Sequence, residues 1–404
     1  MNRTAAAKAR HQRTHTRAVY DKYPYPASSA SLKGWALAPM PWITTVWRPG
    51  KEDSPPERIL VAGCGTGSEA FMLAQRFPGA RIIAVDFSAR SIVIARKLQK
   101  RSSRMRNIRF LQGDLTDPGL ARATGGDFDF VTCHGVLSYI PGPQRALRNL
   151  ARLLRSDGAL FLGVNGAEHF SQRGRKLFPQ FGFDMNELKD ERRVQRLVDL
   201  WQKLLSSENR PLLGNRTTPY LACDLFGALI HNWTLDRWTK LARSAGLSLS
   251  DNYSSFRKRR MLMEDEHYRQ LWPRSRANVS LLLDLLLPDT FHRLLFVKGK
   301  VWNPPWEDHE ALMATRPVLS SLYQHSISRA RGGRGLTPVS LKSWPLNTRL
   351  DWKIPAWEAE ILRQADGRHT LREILRGTRG RPSPKLLSES LYCLYQLLVL
   401  TPLS

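Results

Sequence analysis

The sequence predicts an α/β fold: a seven-stranded sheet covered by helices, interrupted by a helical insertion and followed by a small, mainly helical C-terminal domain of winged-helix type. Three observations carry that expectation. The apolar run RILVAG (58–63) stops at a turn containing Gly63, Gly65 and Gly67. From there to Gly166, short apolar runs alternate with segments of helical periodicity, the pattern of a parallel sheet with both faces covered. After a break at 167–233 the alternation resumes and completes seven strands.

The elements follow in order. RILVAG reads as a buried strand and SEAFMLAQRF as a helix with Ala70, Leu73, Ala74 and Phe77 at helical spacing. ARIIAVDFS is a second strand ending at Asp86, followed by a helix through SIVIARKLQKR; NIRFLQGDLTD is a third strand ending near Asp114, and FDFVTCHG (128–135) a fourth. PQRALRNLARLLRSDG places Leu147, Leu150, Leu153 and Leu154 on one helical face, with Gly158 as its C-terminal stop. GALFLGVNG is the fifth strand. Residues 167–233, with FPQFGFD and the helical ERRVQRLVDLWQKLLS, read as an insertion capping the functional edge of the sheet. TLDRWTKLARSAG is then a helix capped by Thr234, LSLSDNYS a strand and FHRLLFVKGK (291–300) the last strand. Beyond the Gly/Arg stretch at 329–336, IPAWEAEILRQADG, TLREILRG and SPKLLSESLYCLYQLLVL predict three short helices, with Thr370 and Ser383 as caps. The expected domains are a basic N-terminal arm with a Tyr/Pro-rich flap (1–54), the sheet domain (55–310) and the C-terminal domain (311–404).

Composition narrows the function classes. A length of 404 residues exceeds the usual single core of roughly 250–300 residues. The basic N-terminus has no apolar segment of signal-peptide type, and the apolar runs at 281–287 and 391–400 are too short to span a bilayer. Cys64, Cys133, Cys223 and Cys393 form no CxxC pair, so neither a zinc site nor a disulfide framework is expected and the setting is read as reducing and cytoplasmic. The net charge of +27 has clusters at 3–17, 95–109, 257–260 and 329–334. It fits either an anionic partner, such as nucleic acid, a membrane surface or an acidic protein, or the solvated helix faces of an Arg-rich chain. No cluster carries the aromatic interleaving of an RNA platform, which favours the second reading.

A dinucleotide fingerprint GxGxxG would need a third glycine at 68, where Ser68 stands. Glycines at such a strand-to-helix turn let the chain bend tightly and let backbone approach a ligand. Asp86, at the end of the next strand, is placed to accept hydrogen bonds from ribose hydroxyls. Asp114, at the end of the third, is placed to accept from an adenine amino group.

With glycines, Asp86 and Asp114 on three consecutive strand ends, the sequence from about 55 to 166 resembles the class I S-adenosylmethionine-dependent methyltransferases, which have a Rossmann-like sheet. AVYDKYPYPASS (18–29), FDFVTCHGVLSYIP (128–141), NPPWEDHEALMATRP (303–317) and ADGRHTLREIL (365–375) further resemble bacterial methyltransferases with a C-terminal regulatory, or protein-lysine-methyltransferase-like, region. The resemblance implies S-adenosylmethionine as cofactor. It places that cofactor against Gly63, Cys64, Gly65, Gly67, Asp86, Phe87, Asp114 and Leu115, with His134 and Tyr20 beside it. His134, at the carboxyl edge of the sheet, is read as a general base or as a residue that orients substrate or cofactor. Tyr20, with Tyr23, Tyr25, Pro24 and Pro26, is read as part of a flap whose phenol donates to the cofactor carboxylate, and Tyr139 as a pocket wall.

No metal is expected: a sulfonium methyl is already activated, and His169, His231 and His267 have no metal-ligand spacing. No (D/N)PP(Y/F) tetrapeptide follows the fourth strand, where His134, Gly135, Val136 and Leu137 stand, which counts against methylation of a nucleic-acid base nitrogen. Small-molecule acceptors and protein side chains remain open. The other hypothesis is a cofactor-sensing regulator that binds nucleic acid or protein through its C-terminal helices.

Overall fold

The computed structural model describes residues 3–26, 48, 54–101, 105–185, 188–207, 218–227, 229–265, 271–272, 274–327, 336–343, 348–378 and 380–403. The Gly/Arg stretch at 329–334, His267 and most of the expected flap beyond Pro26 lie outside these residues. The chain divides into two compact units, one of Met1–Trp35, Glu57–Leu249 and Leu287–Gly299, the other of Ala36–Pro56, Ser250–Leu286 and Lys300–Ser404. No helix among the described residues is long and apolar enough to cross a membrane.

The first unit begins with a helix, α1 (Arg3–Lys22), where the sequence suggested a basic arm. The sheet follows as β1 (Arg58–Ala62), β2 (Arg81–Asp86), β3 (Ile108–Gln112), β4 (Phe128–His134), β5 (Leu154–Asn165), β6 (Leu247–Asn252) and β7 (Phe291–Lys298). Its covering helices are α2 (Ser68–Arg76), α3 (Ala89–Gln99), α4 (Leu120–Thr124) and α5 (Pro143–Leu153). The insertion supplies α6 (Phe170–Leu177), α7 (Glu191–Ser207) and α8 (Thr218–Asp224), and α9 (Leu235–Arg243) leads back to the sheet. Thr234 occupies the N-cap of α9, but its side chain makes no capping bond.

The strand order is β3-β2-β1-β4-β5-β7-β6. β1 pairs in parallel with both β2 and β4, so the chain direction of the winding reverses between β1 and β4. At such a switch point the connections leave in opposite directions, and a crevice opens beyond the carboxyl ends of the strands. β1 can occupy the middle because Ile59, Leu60 and Val61 are wholly buried, as a strand covered on both faces requires. The sheet is mixed: β7 runs antiparallel to β5, from Asn165↔Phe291 to Ala159↔Val297.

One strand starts earlier than its sequence suggests. α5 ends at Leu153, and Leu154 turns extended at φ −71°, ψ 140° to begin β5. Gly158 therefore stops no helix; it sits in the irregular stretch of the β4–β5 pairing, where an added Cβ would lie 2.9 Å from Phe128 O. The amino end of the sheet is tied by Asp129, 2% exposed, whose Oδ2 accepts from Glu57 N (2.9 Å) and Arg58 N (2.7 Å) while Arg155 pairs with its other oxygen.

The insertion has its own core. Phe178, Val194, Val198, Leu221, Leu225 and Phe226 are buried together.

The second unit holds α10 (Phe256–Met263), α11 (Arg276–Leu286), α12 (His309–Ala314), α13 (Ala356–Gln364), α14 (Leu371–Arg376) and α15 (Pro384–Gln396). The last three are the helices the sequence indicates; Thr370 forms a capping box with Glu373, and Ser383 accepts from Leu386 N. Five short strands accompany them, β8 (Arg316–Leu319), β9 (Gln324–Ile327), β10 (Thr337–Ser343), β11 (Thr348–Ile354) and β12 (Leu400–Leu403), in sheets ordered β11-β10-β9 and β12-β8. Helices outweigh these short strands, in keeping with a small, mainly helical C-terminal domain. Ser250–Leu286 groups here, on the far side of the boundary expected at 310, because α15 and its neighbours bind it: Tyr392 OH donates to Leu271 O (3.0 Å), Gln396 Nε2 to Arg274 O (3.0 Å) and Arg276 Nε to Tyr395 O (2.8 Å).

Gly166, at the end of β5, lies so near β7 that an added Cβ would be 1.9 Å from Asp289 O, whereas a Cβ at Gly79 would meet nothing within 4 Å. Gly166→Ala should cost about 3 kcal/mol in a urea denaturation midpoint, and Gly79→Ala less than about 0.5 kcal/mol.

Candidate active site

The turn after β1 is built from glycines because of what surrounds it. Gly63, Gly65 and Gly67 have φ of +79°, +51° and +96°, a region that costs an L side chain about 1–2 kcal/mol. Space adds to the constraint. A Cβ on Gly63 would stand 2.2 Å from Val136 Cγ2, beyond β4 across the switch point, and one on Gly65 would stand 2.1 Å from Tyr25 O. The segment after α1 therefore crosses the glycine turn directly. Tyr25 O accepts from Thr66 N (3.2 Å), and Pro26 O from Thr66 Oγ1 (2.8 Å). Cys64 is buried in the turn, which pushes its thiol well above the usual range.

Asp86 ends β2. Its Oδ2 accepts from Gly65 N and its Oδ1 from Ser88 N, both at 2.9 Å, so it locks the first two strand ends together. Burial raises it to about 6 against those two N–H groups, which favour the charged form. Each oxygen keeps a lone pair for a further donor. Phe87 stands next to it, with the Tyr20 ring edge-on at 5.8 Å and the Arg17 guanidinium 5.9 Å above its face.

Beyond β3, Asp114 accepts from Thr116 N (2.8 Å) and Thr116 Oγ1 (2.7 Å), and its Oδ2 lies 3.5 Å from Arg13 Nη1. Leu115 is buried and its carbonyl accepts from Asn149 Nδ2 at 2.9 Å. Helix α1 thus reaches the ends of β2 and β3, and the segment after it crosses the end of β1. Arg13 meets Asp114, Tyr20 meets Phe87, Asp21 accepts from the Ser88 hydroxyl, and Arg90 Nη1 donates to Asp21 O at 3.0 Å.

His134 ends β4 at the same edge. Its ring packs against Phe161 (6.0 Å between centroids) and Phe291 (5.3 Å), and Gly163 is needed beside it, since a Cβ there would be 2.1 Å from His134 Cδ2. Nδ1 is buried without a hydrogen-bond partner. Burial, aided by Arg293, pushes the imidazole down to about 3. A neutral ring of that kind accepts a proton only in strongly acid solution, so its surroundings suit a wall or an orienting group and not a general base. Tyr20 is also far from free: burial raises its phenol well above 10, Asp224 and Asp86 add to the rise, and its hydroxyl bonds Cys223.

Two acids escaped the sequence reading. Glu69, in the first turn of α2, is buried and accepts from the Thr132 hydroxyl of β4; burial pushes it up to about 7. Asp224, at the end of α8, is likewise raised by burial to about 7, with the nearby Tyr139 and Tyr220 hydroxyls acting to lower it. Tyr139, in the turn after β4, donates its hydroxyl to Asn165 Oδ1 (3.1 Å) at the end of β5. Only one signal marked Asp224: Tyr220 and Asp224 are four apart in an otherwise apolar stretch, hence on one helical face. His169 and His231, by contrast, are local: His169 Nδ1 bonds Ser171 Oγ (2.8 Å) and His231 Nε2 bonds Ile140 O (3.1 Å).

Residues 60–160 match the family model described as a methyltransferase domain. Across the sheet and beyond, the fold is that of PKMT2 from Rickettsia typhi, solved in complex with AdoHcy: TM-score 0.55 at 14% identity, covering 92% of this chain and 76% of that one. Residues 60–160 are a methyltransferase domain, and the sheet has the class I methyltransferase fold. An uncharacterized protein of Synechococcus sp. is 28% identical over 285 residues, covering 65% of each chain. Trans-aconitate 2-methyltransferase of Deinococcus radiodurans is 33% identical over 122 residues, 30% of this chain and 43% of that protein. The chain thus spans about two thirds or less of the length of these curated relatives. In the methyltransferase domain the glycine turn, Asp86 and Asp114 stand together as the sequence places them.

The imidazole of His134 is neutral in the fold and titrates near 6.5 when unfolded. Its contribution to stability is therefore complete above pH 6.5 and lost as pH falls towards 3. Chemical denaturation should show His134→Phe gaining on the native protein by about 2 kcal/mol between pH 8 and pH 5.

Proposed function

We propose that the chain is an S-adenosylmethionine-dependent methyltransferase acting on a small molecule or a protein side chain. The observation that carries the reading is the set of three consecutive strand ends: the Cβ-free turn after β1, Asp86 after β2 and Asp114 after β3. Their chemistry fits the cofactor. A carboxylate with spare lone pairs at β2 suits a ribose diol, and a partly exposed carboxylate at β3 suits an adenine amino group. The AdoHcy held by the Rickettsia typhi neighbour on the same fold supports this assignment.

Bound S-adenosylmethionine supplies a methyl group already activated on a sulfonium. The protein's part is to hold the acceptor in line and to keep water out. Gly63, Cys64, Gly65 and Gly67 shape the turn under the methionine portion; Asp86 and Phe87 hold the ribose and flank the base; Asp114 and Leu115 hold the adenine. Helix α1 and the Tyr25–Pro26 crossing cover these residues, with Tyr20 over Phe87. His134 lines the acceptor side as a neutral wall. The acceptor enters beneath the insertion, where Tyr139, Tyr220 and Asp224 converge.

Calorimetric titration tests the assignment. The native chain should bind S-adenosylmethionine and not NAD, and Asp86→Ala should weaken that binding at least tenfold while leaving the circular dichroism spectrum unchanged. NAD binding, or undiminished affinity in Asp86→Ala, would contradict it.

A further inference from the structure

We infer that the β3 edge of the sheet, together with α3 and the outer half of α1, is a docking face for double-stranded nucleic acid, held through its phosphates. The inference is independent of methyl transfer and of the acceptor.

Two basic clusters that are far apart in the sequence meet on this face. Between Asp86 and Asp114 the chain holds eight Lys and Arg residues and no acid. Ser102, Ser103 and Arg104, outside the described residues, add none either. Arg96, Lys97, Lys100, Arg101, Arg106 and Arg109 are exposed, and among the described residues no carboxylate pairs with any of them. The other cluster arrives on α1, which has no acid before Asp21. Tyr20 and Asp21 meet Phe87 and Ser88 beyond β2, whereas Arg13 meets Asp114 beyond β3. Followed towards its N-terminus, α1 therefore runs outward from β2 to β3, the edge strand of the sheet. Residues 3–12 continue past that edge for about 15 Å, and Arg10 is exposed there. So many unpaired cations on one face repel one another, and an anionic partner offsets that repulsion.

The surface selects the occupant. A groove of about 480 Å³ lies between α3 and β3, with Arg96 and Lys100 one helical turn apart along one side and Arg109 on the other. A concave track suits the ridge of a phosphodiester strand better than a flat bilayer. Nor does the edge offer a ladder to an acidic peptide: the carbonyls of Ile108 and Phe110 already accept from Gln99 Nε2 (2.7 Å) and Arg96 Nη2 (2.8 Å). Phe110, the aromatic ring among the lining residues, is buried, so the bases of a single strand have nothing to stack on. What the groove presents is guanidinium and ammonium groups, which match phosphate oxygens as forks or point charges. Contacts of that kind position a duplex without reading its bases.

Fluorescence anisotropy with the full chain tests this, using labelled RNA and DNA duplexes of about two helical turns over a salt series from about 50 to about 200 mM. Both duplexes should bind within about threefold of each other whatever their sequence, with log affinity falling linearly in log salt. The triple variant Lys100→Gln/Arg106→Gln/Arg109→Gln should reduce that slope by between about 2 and 3, and Arg10→Gln by about 1. A matched loss of charge elsewhere on the same unit, Arg145→Gln/Arg148→Gln/Arg152→Gln on α5, should leave the affinity within about twofold of native and the slope unchanged. All these side chains are exposed, and each variant should keep the native circular dichroism spectrum. Equal losses from the two triple variants would reduce the effect to net charge and overturn the face, as would a native chain that binds neither duplex at about 50 mM salt. A preference above about tenfold for one sugar or one sequence would contradict recognition through phosphates. Polyglutamate, or vesicles of phosphatidylserine and phosphatidylcholine in equal parts, binding more tightly than either duplex at equal anionic charge would overturn the choice of partner.

Discussion

The contact between Tyr25 O and the backbone of Gly65 fixes the rest of the site. At that point the chain has room for no side-chain carbon, so the segment leaving α1 and the turn leaving β1 are held surface to surface. Gly63 makes the same kind of approach to Val136 across the switch point. One turn thereby sets the distances between the N-terminal helix, the ends of β1 and β2, and the end of β4. Asp86 completes the arrangement by bonding the turn through Gly65 N and the start of α3 through Ser88 N.

The two ends of the sheet use carboxylates differently, and the difference separates structure from chemistry. At the amino end, Asp129 spends itself on two backbone N–H groups and Arg155 and serves to join β1 to β4. At the carboxyl end, Asp86, Glu69 and Asp224 are raised by burial, and no basic side chain is the main cause acting on any of them. In a chain of net charge +27 these acids share the edge with Arg13 and Arg17 of α1.

Much of this was legible in the sequence because it is local. After a leading arginine β1 and β2 are apolar runs, β3 to β5 each carry an apolar stretch, and the positive φ at Gly63, Gly65 and Gly67 is carried by residues that adopt it freely. The direction of β7 was not legible, since periodicity has no sense of direction. Nor was the early start of β5, where Leu154 continues the leucine spacing of α5 and only the pairing with Phe128 makes it a strand. β10 did carry a readable alternation, with Thr337, Val339, Leu341 and Ser343 buried, but it is short and adjoins the Gly/Arg stretch. Asp224 reaches the site through the fold of an insertion whose own core, around Phe178 and Phe226, decides where it lands. His134 shows the opposite case: its place was readable, while its proton affinity depends on Phe161 and Phe291, brought in by β5 and β7.

Cofactor held across three strand ends beneath the N-terminal helix would shield the glycine turn and the covering segment together. Hydrogen exchange followed by mass spectrometry, with and without saturating S-adenosylmethionine, reads both at once. Slowed exchange is expected at 63–69, 86–88 and 114–116 together with residues 16–26 of the covering segment. Protection confined to other strands, or binding that leaves residues 16–26 and the glycine turn unchanged, would contradict it.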